Sequence, residues 1–368
     1  MIKKKAFIYP YDSESTHFFR FNEMNKMYDV VGAVSPNGWG LRGKDVGSAD
    51  AGHALNIKVK DKIEDTDEFD TLFLVDSKIE LDFEKYIFPK LKQVVKNKKE
   101  IVNVRELTDE QLKQIIDLCK ENNVGFKNIL EKHYNLHDIK IIYDITVPVV
   151  FVAGISDRTN KFDIQLSLRK EFENMGYKVS QIGTKNHCEL FGFHSFPSFM
   201  FENGTSNIEK IKKFNSFVKG IEVLEKPHVI IIGIPRSLAP ICKELPDDFG
   251  CTGFMVSRAV KPDAAIVSMM YNNYKADYFE EIQNLCKYRF DFEIDCFNIA
   301  NNQLDYQDSK FFLNKLYTVI DSDYIDEKIK HYKATKPIYN VQKKEDRIKM
   351  ASYLIDVLAG EEFIEDVL

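Results

Sequence analysis

The chain has 368 residues, 44% hydrophobic and 29% charged, which is enough apolar material for two buried cores and excludes a disordered tract or a mini-protein. Its 57 acidic and 51 basic side chains leave a formal charge of −6, so no basic field favours a nucleic-acid backbone or an anionic membrane. No window approaches the roughly 18 apolar residues of a membrane span, and six dispersed cysteines are not the framework of a small disulfide-rich domain, which predicts a reduced, cytoplasmic setting.

The opening residues run Lys3-Lys4-Lys5 into Ala6-Phe7-Ile8-Tyr9, and the apolar run stops at Pro10. It is too short for the core of a secretion signal and predicts a first strand. A polar segment, 13–26, follows. Residues 29–34, 72–75 and 101–104 predict further strands, separated by an amphipathic run over 83–95 and followed by a helix over 108–122. That helix opens on Thr108-Asp109-Glu110-Gln111, a capping pattern with acids at the positive end of the helix dipole. Strands separated by helix-length segments need right-handed crossovers, so the rhythm predicts a parallel sheet covered on both faces.

A charged segment, 131–144, leads to Val147-Pro148-Val149-Val150-Phe151-Val152-Ala153-Gly154, the most continuous buried-strand signal in the chain. The alternation then repeats, with helices over 164–175, 208–224 and 276–286 and strands over 178–182, 228–233, 264–268 and 292–299. The expected organisation is two three-layer α/β domains, each on a parallel sheet, over 1–144 and 145–333. A C-terminal appendage, 334–368, carries a helix with Ile348, Ala351, Ile355 and Leu358 on one face.

Several segments carry residues suited to chemistry. Gly154-Ile155-Ser156-Asp157-Arg158-Thr159-Asn160-Lys161-Phe162-Asp163 joins a strand to a helix, where backbone N–H groups converge on an anion and a lysine adds a mobile charge. It departs from the standard phosphate loop. Thr159 and Asn160 stand where the second glycine and the lysine belong, Lys161 comes one residue late, and Phe162 follows in place of a hydroxyl. Asn160 tolerates a left-handed turn better than most residues, so it can replace the glycine. Thr159, Ser156 and Asp163 are the candidates for the missing magnesium ligand.

The order of later elements strengthens that reading. Gly233-Ile234-Pro235-Arg236-Ser237 closes a hydrophobic strand, placing Arg236 to neutralise transferred charge beside Lys161. Asn301 and Asn302 end another strand, where such sheets read a base or other ligand.

Two more segments are candidates for substrate or partner contact. The first runs from His187 to Pro197, with His187 and His194 facing substrate and Phe191, Phe193, Phe196 and Phe199 packed beneath. His187, Cys188 and His194 match no familiar zinc spacing, and a reactive Cys–His pair is the alternative. The second is a glycine cluster. Glycine is scarce, 17 residues or about 5% against a usual ~7%, yet six lie within the 21 residues from Gly32 to Gly52, around the single Trp39. With Trp39, Arg42 and Lys44 this loop predicts close approach to a ligand or partner. It does not open a helix with glycine-x-glycine-x-x-glycine, which argues against a dinucleotide site.

The whole chain resembles the clostridial peptide maturation system family, on Ile8-Tyr9-Pro10-Tyr11-Asp12, Ser35-Pro36-Asn37-Gly38-Trp39-Gly40, Asn160-Lys161-Phe162-Asp163-Ile164-Gln165-Leu166 and Phe191-Gly192-Phe193-His194-Ser195-Phe196-Pro197. That resemblance implies an accessory to a ribosomally made, cysteine-rich precursor peptide and its radical SAM maturase. More distantly the layout is similar to a two-domain family with a Rossmann-like first domain and a P-loop, dethiobiotin-synthetase-like second domain, some members of which are amino-acid N-acetyltransferases. In that family a glycine-lysine-aspartate run falls on Gly43, Lys44 and Asp45, and the phosphate loop on Gly154 to Lys161.

The expectation is therefore a Rossmann-like domain followed by a degenerate P-loop domain. The second would bind ATP or GTP with Mg²⁺, or alternatively acetyl-CoA. A non-catalytic peptide or maturase partner and an N-acyltransferase are the competing functions, and a second copy of the chain is a further partner class.

Overall fold

The computed structural model describes residues 2–130 and 141–365. They form two compact units, 2–130 with Glu189–Gly192, and 141–188 with 193–365. No described helix is long and apolar enough to cross a membrane.

The first unit contains β1 (Lys4–Tyr9), α1 (His17–Arg20), β2 (Tyr28–Val34), β3 (Val59–Lys60), β4 (Thr71–Leu74), α2 (Phe88–Lys96), β5 (Glu100–Asn103), α3 (Asp109–Glu121) and β6 (Phe126–Asn128). Its six strands are parallel in the order β3-β2-β1-β4-β5-β6. That is a doubly wound sheet whose direction reverses between β1 and β4. α3 begins as its sequence predicts, because the Thr108 hydroxyl accepts the Gln111 N–H and the Gln111 side chain accepts that of Thr108. Phe7, Leu72 and Leu74 bury against Leu91, Val94 and Ile115 of the helices.

At the β1–β4 reversal the Asp12 carboxylate accepts the N–H groups of Glu14 at 2.8 Å and Lys78 at 2.6 Å, beside the fully buried Tyr11. Between β1 and β2 the chain forms only short turns of helix among the described residues: α1 and the 3-10 turns Ser13–Ser15 and Asn22–Met24. The strand order alone therefore does not make a dinucleotide site.

The second unit contains β7 (Val149–Gly154), α4 (Lys161–Asn174), β8 (Val179–Gly183), β9 (His194–Ser195), α5 (Asn207–Glu225), β10 (Val229–Gly233), α6 (Cys251–Ala259), β11 (Ala264–Met270), α7 (Ala276–Leu285), β12 (Cys296–Ala300), β13 (Asn302–Leu304), α8 (Tyr306–Phe312), β14 (Tyr317–Val319), α9 (Ser322–Ile329), β15 (Ile338–Tyr339) and α10 (Lys344–Glu365). Seven strands form a parallel sheet in the order β15-β12-β11-β7-β10-β8-β9, and β13 pairs with β14 in a small antiparallel ribbon. The chain is thus an α/β protein with two layered, parallel-sheet domains.

β7 explains the layering. Val149, Phe151 and Ala153 enter a core with Phe214 of α5, Val256 of α6 and Phe279 of α7, whereas Val150 and Val152 enter another with Ile164 and Leu168 of α4 and Met350 and Leu354 of α10. A strand buried on both faces must be apolar throughout, hence its unbroken hydrophobic run.

The C-terminal stretch is not an appendage. β15 adds to β12 at the sheet edge, and α10 packs on α4. The face that α10 buries is also rotated from the expected one: Met350, Ala351, Leu354 and Leu358 are inside, while Ile348 is 41% exposed.

Candidate functional site: the loop between β7 and α4

From β7 the chain passes to β8 on one side and later crosses to β11 on the other, so the second sheet reverses between β7 and β11. Ligands of open α/β sheets bind at the carboxyl edge beside such a reversal, and the 155–160 loop sits there. Three backbone bonds fix it: Ile155 donates to Ser268 O at 3.0 Å, Leu238 to Gly154 O at 2.9 Å and Ala239 to Ile155 O at 3.3 Å. The Ser268 hydroxyl also donates to the Thr159 carbonyl. Gly154 must be glycine, because an added Cβ would lie 2.4 Å from Thr159 Oγ1 and 3.0 Å from Lys161 Cδ.

Asn160 takes a left-handed conformation, φ 56°, immediately before α4. It thereby makes the turn for which a phosphate loop ordinarily uses glycine, and Lys161 becomes the first helical residue rather than a displaced one. No N-cap side chain bonds the start of α4, unlike the capping boxes of α3 and α5. Thr159 is turned inward, donating to the Ser156 carbonyl at 3.3 Å from a fully buried position. Ser156 is buried in the loop, and the Asp163 carbonyl accepts the Ser167 hydroxyl at 2.7 Å.

The charges form a graded set. Lys161 is only 8% exposed, and its ammonium donates to the Arg236 carbonyl. Burial lowers its pKa to about 8, against the opposing pull of Asp157, Asp248 and Asp247. Burial would raise the Asp157 carboxyl, but the 2.6 Å hydrogen bond from Lys315 and the charges of Lys161, Lys315 and Arg158 hold it below the usual carboxylate range. Lys315 also pairs with Asp247, which accepts the Ser237 hydroxyl at 2.5 Å. The Arg236 guanidinium lies over the Phe201 ring at 4.8 Å, so this residue serves Lys161 through its carbonyl. Gly233 admits Gln165, whose amide atoms would lie 2.4 Å from an added Cβ.

Asn301 and Asn302 are joined to the loop. Asn160 Nδ2 donates to Asn301 Oδ1 at 2.9 Å, and Asn302 Nδ2 to the Arg158 carbonyl at 2.9 Å. The two histidines separate. His187 is buried, edge-on to Phe162 at 5.7 Å, and His194 Nε2 pairs with Glu225 at 2.5 Å. Among the described residues no group of three or more His, Cys, Asp or Glu side chains is placed to hold a metal ion. Trp39, Arg42 and Lys44 lie in the first unit, with Trp39 half-buried, Arg42 paired to Asp61 at 3.1 Å and Lys44 exposed.

No family model and no curated protein matches the chain. A duf1611 family protein from Anabaena variabilis is similar in structure over 97% of this chain and 100% of its own, with a TM-score of 0.61 and 10% identity. The two share a fold. Homoserine dehydrogenase of S. aureus aligns over 60% of this chain and 51% of its own at 12% identity and a TM-score of 0.26, too low to bear on the site. The two-domain architecture therefore has a full-length counterpart, and the chemistry rests on this chain's own residues.

A cleft of about 650 Å³ opens beside the loop, with Ile155 and Ser156 on one wall and Tyr271, Tyr274 and Tyr278 on another. These tyrosines escaped the sequence reading. Their signal was there in Met270-Tyr271-Asn272-Asn273-Tyr274, which directly follows a buried strand at its carboxyl end.

Proposed function

We propose that the second unit binds a nucleotide or other phosphorylated ligand at the β7–α4 loop, in support of maturing a ribosomally made cysteine-rich peptide. The observation that carries the binding reading is Lys161 at the first position of an uncapped helix behind the left-handed Asn160. Its ammonium is sheltered yet surrounded by carboxylates, so it stays charged at neutral pH. Helix N-terminus, lysine and sheet reversal together supply an anion site. The peptide context is supported by the sequence resemblance.

The ligand would draw Lys161 from the Arg236 carbonyl. Phe162 follows Lys161 where a phosphate loop carries its magnesium-binding hydroxyl, so the proposal is binding rather than hydrolysis. Thermal-shift titration of the full chain with ATP, GTP and acetyl-CoA, with and without Mg²⁺, tests this. A stabilising shift with at least one ligand, lost in Lys161→Ala, is expected; no shift with any of them, or an equal shift in the variant, overturns the site.

A further inference from the structure

We propose that the cleft beside the loop receives a purine ring, so that the phosphorylated ligand is a purine nucleotide. This rests on the phosphate-binding reading of the β7–α4 loop and names its ligand class. The cleft volume of about 650 Å³ suits a nucleoside phosphate and far exceeds what a bare phosphate fills.

Its aromatic wall is already organised. The rings of Tyr274 and Tyr278 stack at 4.6 Å with 9° between planes, and Phe279 abuts Tyr274 edge-on at 5.9 Å. The Tyr274 hydroxyl donates to the Met270 carbonyl at 2.8 Å, and the Tyr332 hydroxyl to the Asn272 carbonyl at 2.6 Å, so the segment carrying the stack is tied down at two points. A flat heteroaromatic ring extends such a stack at little conformational cost.

The polar groups of the cleft fit the edge of a purine. Asn272, Asn273 and Gln303 bring amides, and Asp277 and Glu281 bring carboxylates, one helical turn apart on α7. Carboxylates accept from the ring N–H and exocyclic amino groups that purines present. Asn301 and Asn302 bond Asn160 and the Arg158 carbonyl and are not among the residues that line the cleft. Ile155 and Ser156 belong to both the loop and the cleft, so one ligand can span the two.

The experiment compares ATP with inorganic tripolyphosphate by calorimetry on the full chain and maps photolabelling by 8-azido-ATP. ATP is expected to bind about tenfold tighter than tripolyphosphate, the difference stacking supplies. Tyr278→Ala should erase that margin without changing tripolyphosphate affinity, Tyr274→Phe should keep it, and the label should fall within 269–281. Equal affinities for the two compounds, or a label outside that segment, overturn the ring site alone. Binding of neither compound overturns the ring site together with the loop reading.

Discussion

Lys161 concentrates the physical tension of the site. A fully desolvated ammonium is costly, and the surrounding carboxylates of Asp157, Asp247 and Asp248 return only part of that cost, which leaves its pKa at about 8 against 10.5 for a free lysine. The native state therefore releases the Lys161 proton before the unfolded state does. By itself, this group makes stability rise as pH climbs from about 8 to 10.5. Anion affinity has the opposite dependence, because the ligand needs the ammonium. Tripolyphosphate affinity should fall by up to about tenfold per unit above pH 8 in the native chain. Lys161→Met, which has no proton to lose, should bind weakly and without that added slope. Calorimetry at matched pH values on both proteins checks it, and parallel slopes would show that another group titrates. Asn160 is the complementary residue: a left-handed non-glycine costs about 1–2 kcal/mol, which its hydrogen bond to Asn301 helps to offset.

The β13–α8–β14 excursion is fastened to the loop rather than merely near it. Lys315 bridges Asp157 and Asp247, Tyr317 lies under the Arg158 guanidinium at 4.6 Å, and Asn302 bonds the Arg158 carbonyl. Removing the lysine leaves two carboxylates without their shared partner, so Lys315→Ala should cost about 1–3 kcal/mol. It should also speed proteolytic cleavage within 302–319, with Lys315→Arg recovering most of the loss. Cleavage no faster than in the native chain would show that the ion pairs do not hold the excursion. Because Asp157 is held below its ordinary pKa, this contribution is present at neutral pH and fades as pH falls through the folded value. None of the excursion was legible in the sequence, since its short elements bury few side chains and carry no period. α6 was hidden for a different reason: Gly253 lowers its helical propensity, yet the glycine is what admits Leu238, whose Cδ2 would lie 2.6 Å from an added Cβ. The central strands were legible because burial on both faces requires continuous apolar runs. The loop was legible through Gly154 and Lys161. The tyrosine cleft was not, because aromatics next to a buried strand look like core until the carboxyl edge places them at a cleft.

The chain uses one sheet logic twice and finishes the two edges differently. Both sheets reverse direction beside a central strand; after β1 the Asp12 carboxylate accepts the Glu14 and Lys78 amides, while the loop after β7 carries a buried lysine beside an open cleft. Strand order fixes where a site can lie, and the loop side chains decide whether one is built. Glycine follows the same economy, standing at Gly154 and Gly233 where a Cβ would strike Thr159 or Gln165. The second sheet also uses the C-terminal helix, because α10 packs beside α4 and its Met350 and Leu354 share a core with Val150 and Val152. Leu354 is fully buried in that layer, and Leu354→Ala should cost about 2–5 kcal/mol through lost burial and the cavity left behind. Ile348→Ala, on the exposed side, should stay within about 0.5 kcal/mol. Urea denaturation midpoints of the two variants separate the observed α10 face from the one read from helical periodicity, in which Ile348 and not Leu354 points inward. A larger loss at Ile348 would mean that α10 packs in the register the sequence pattern predicts.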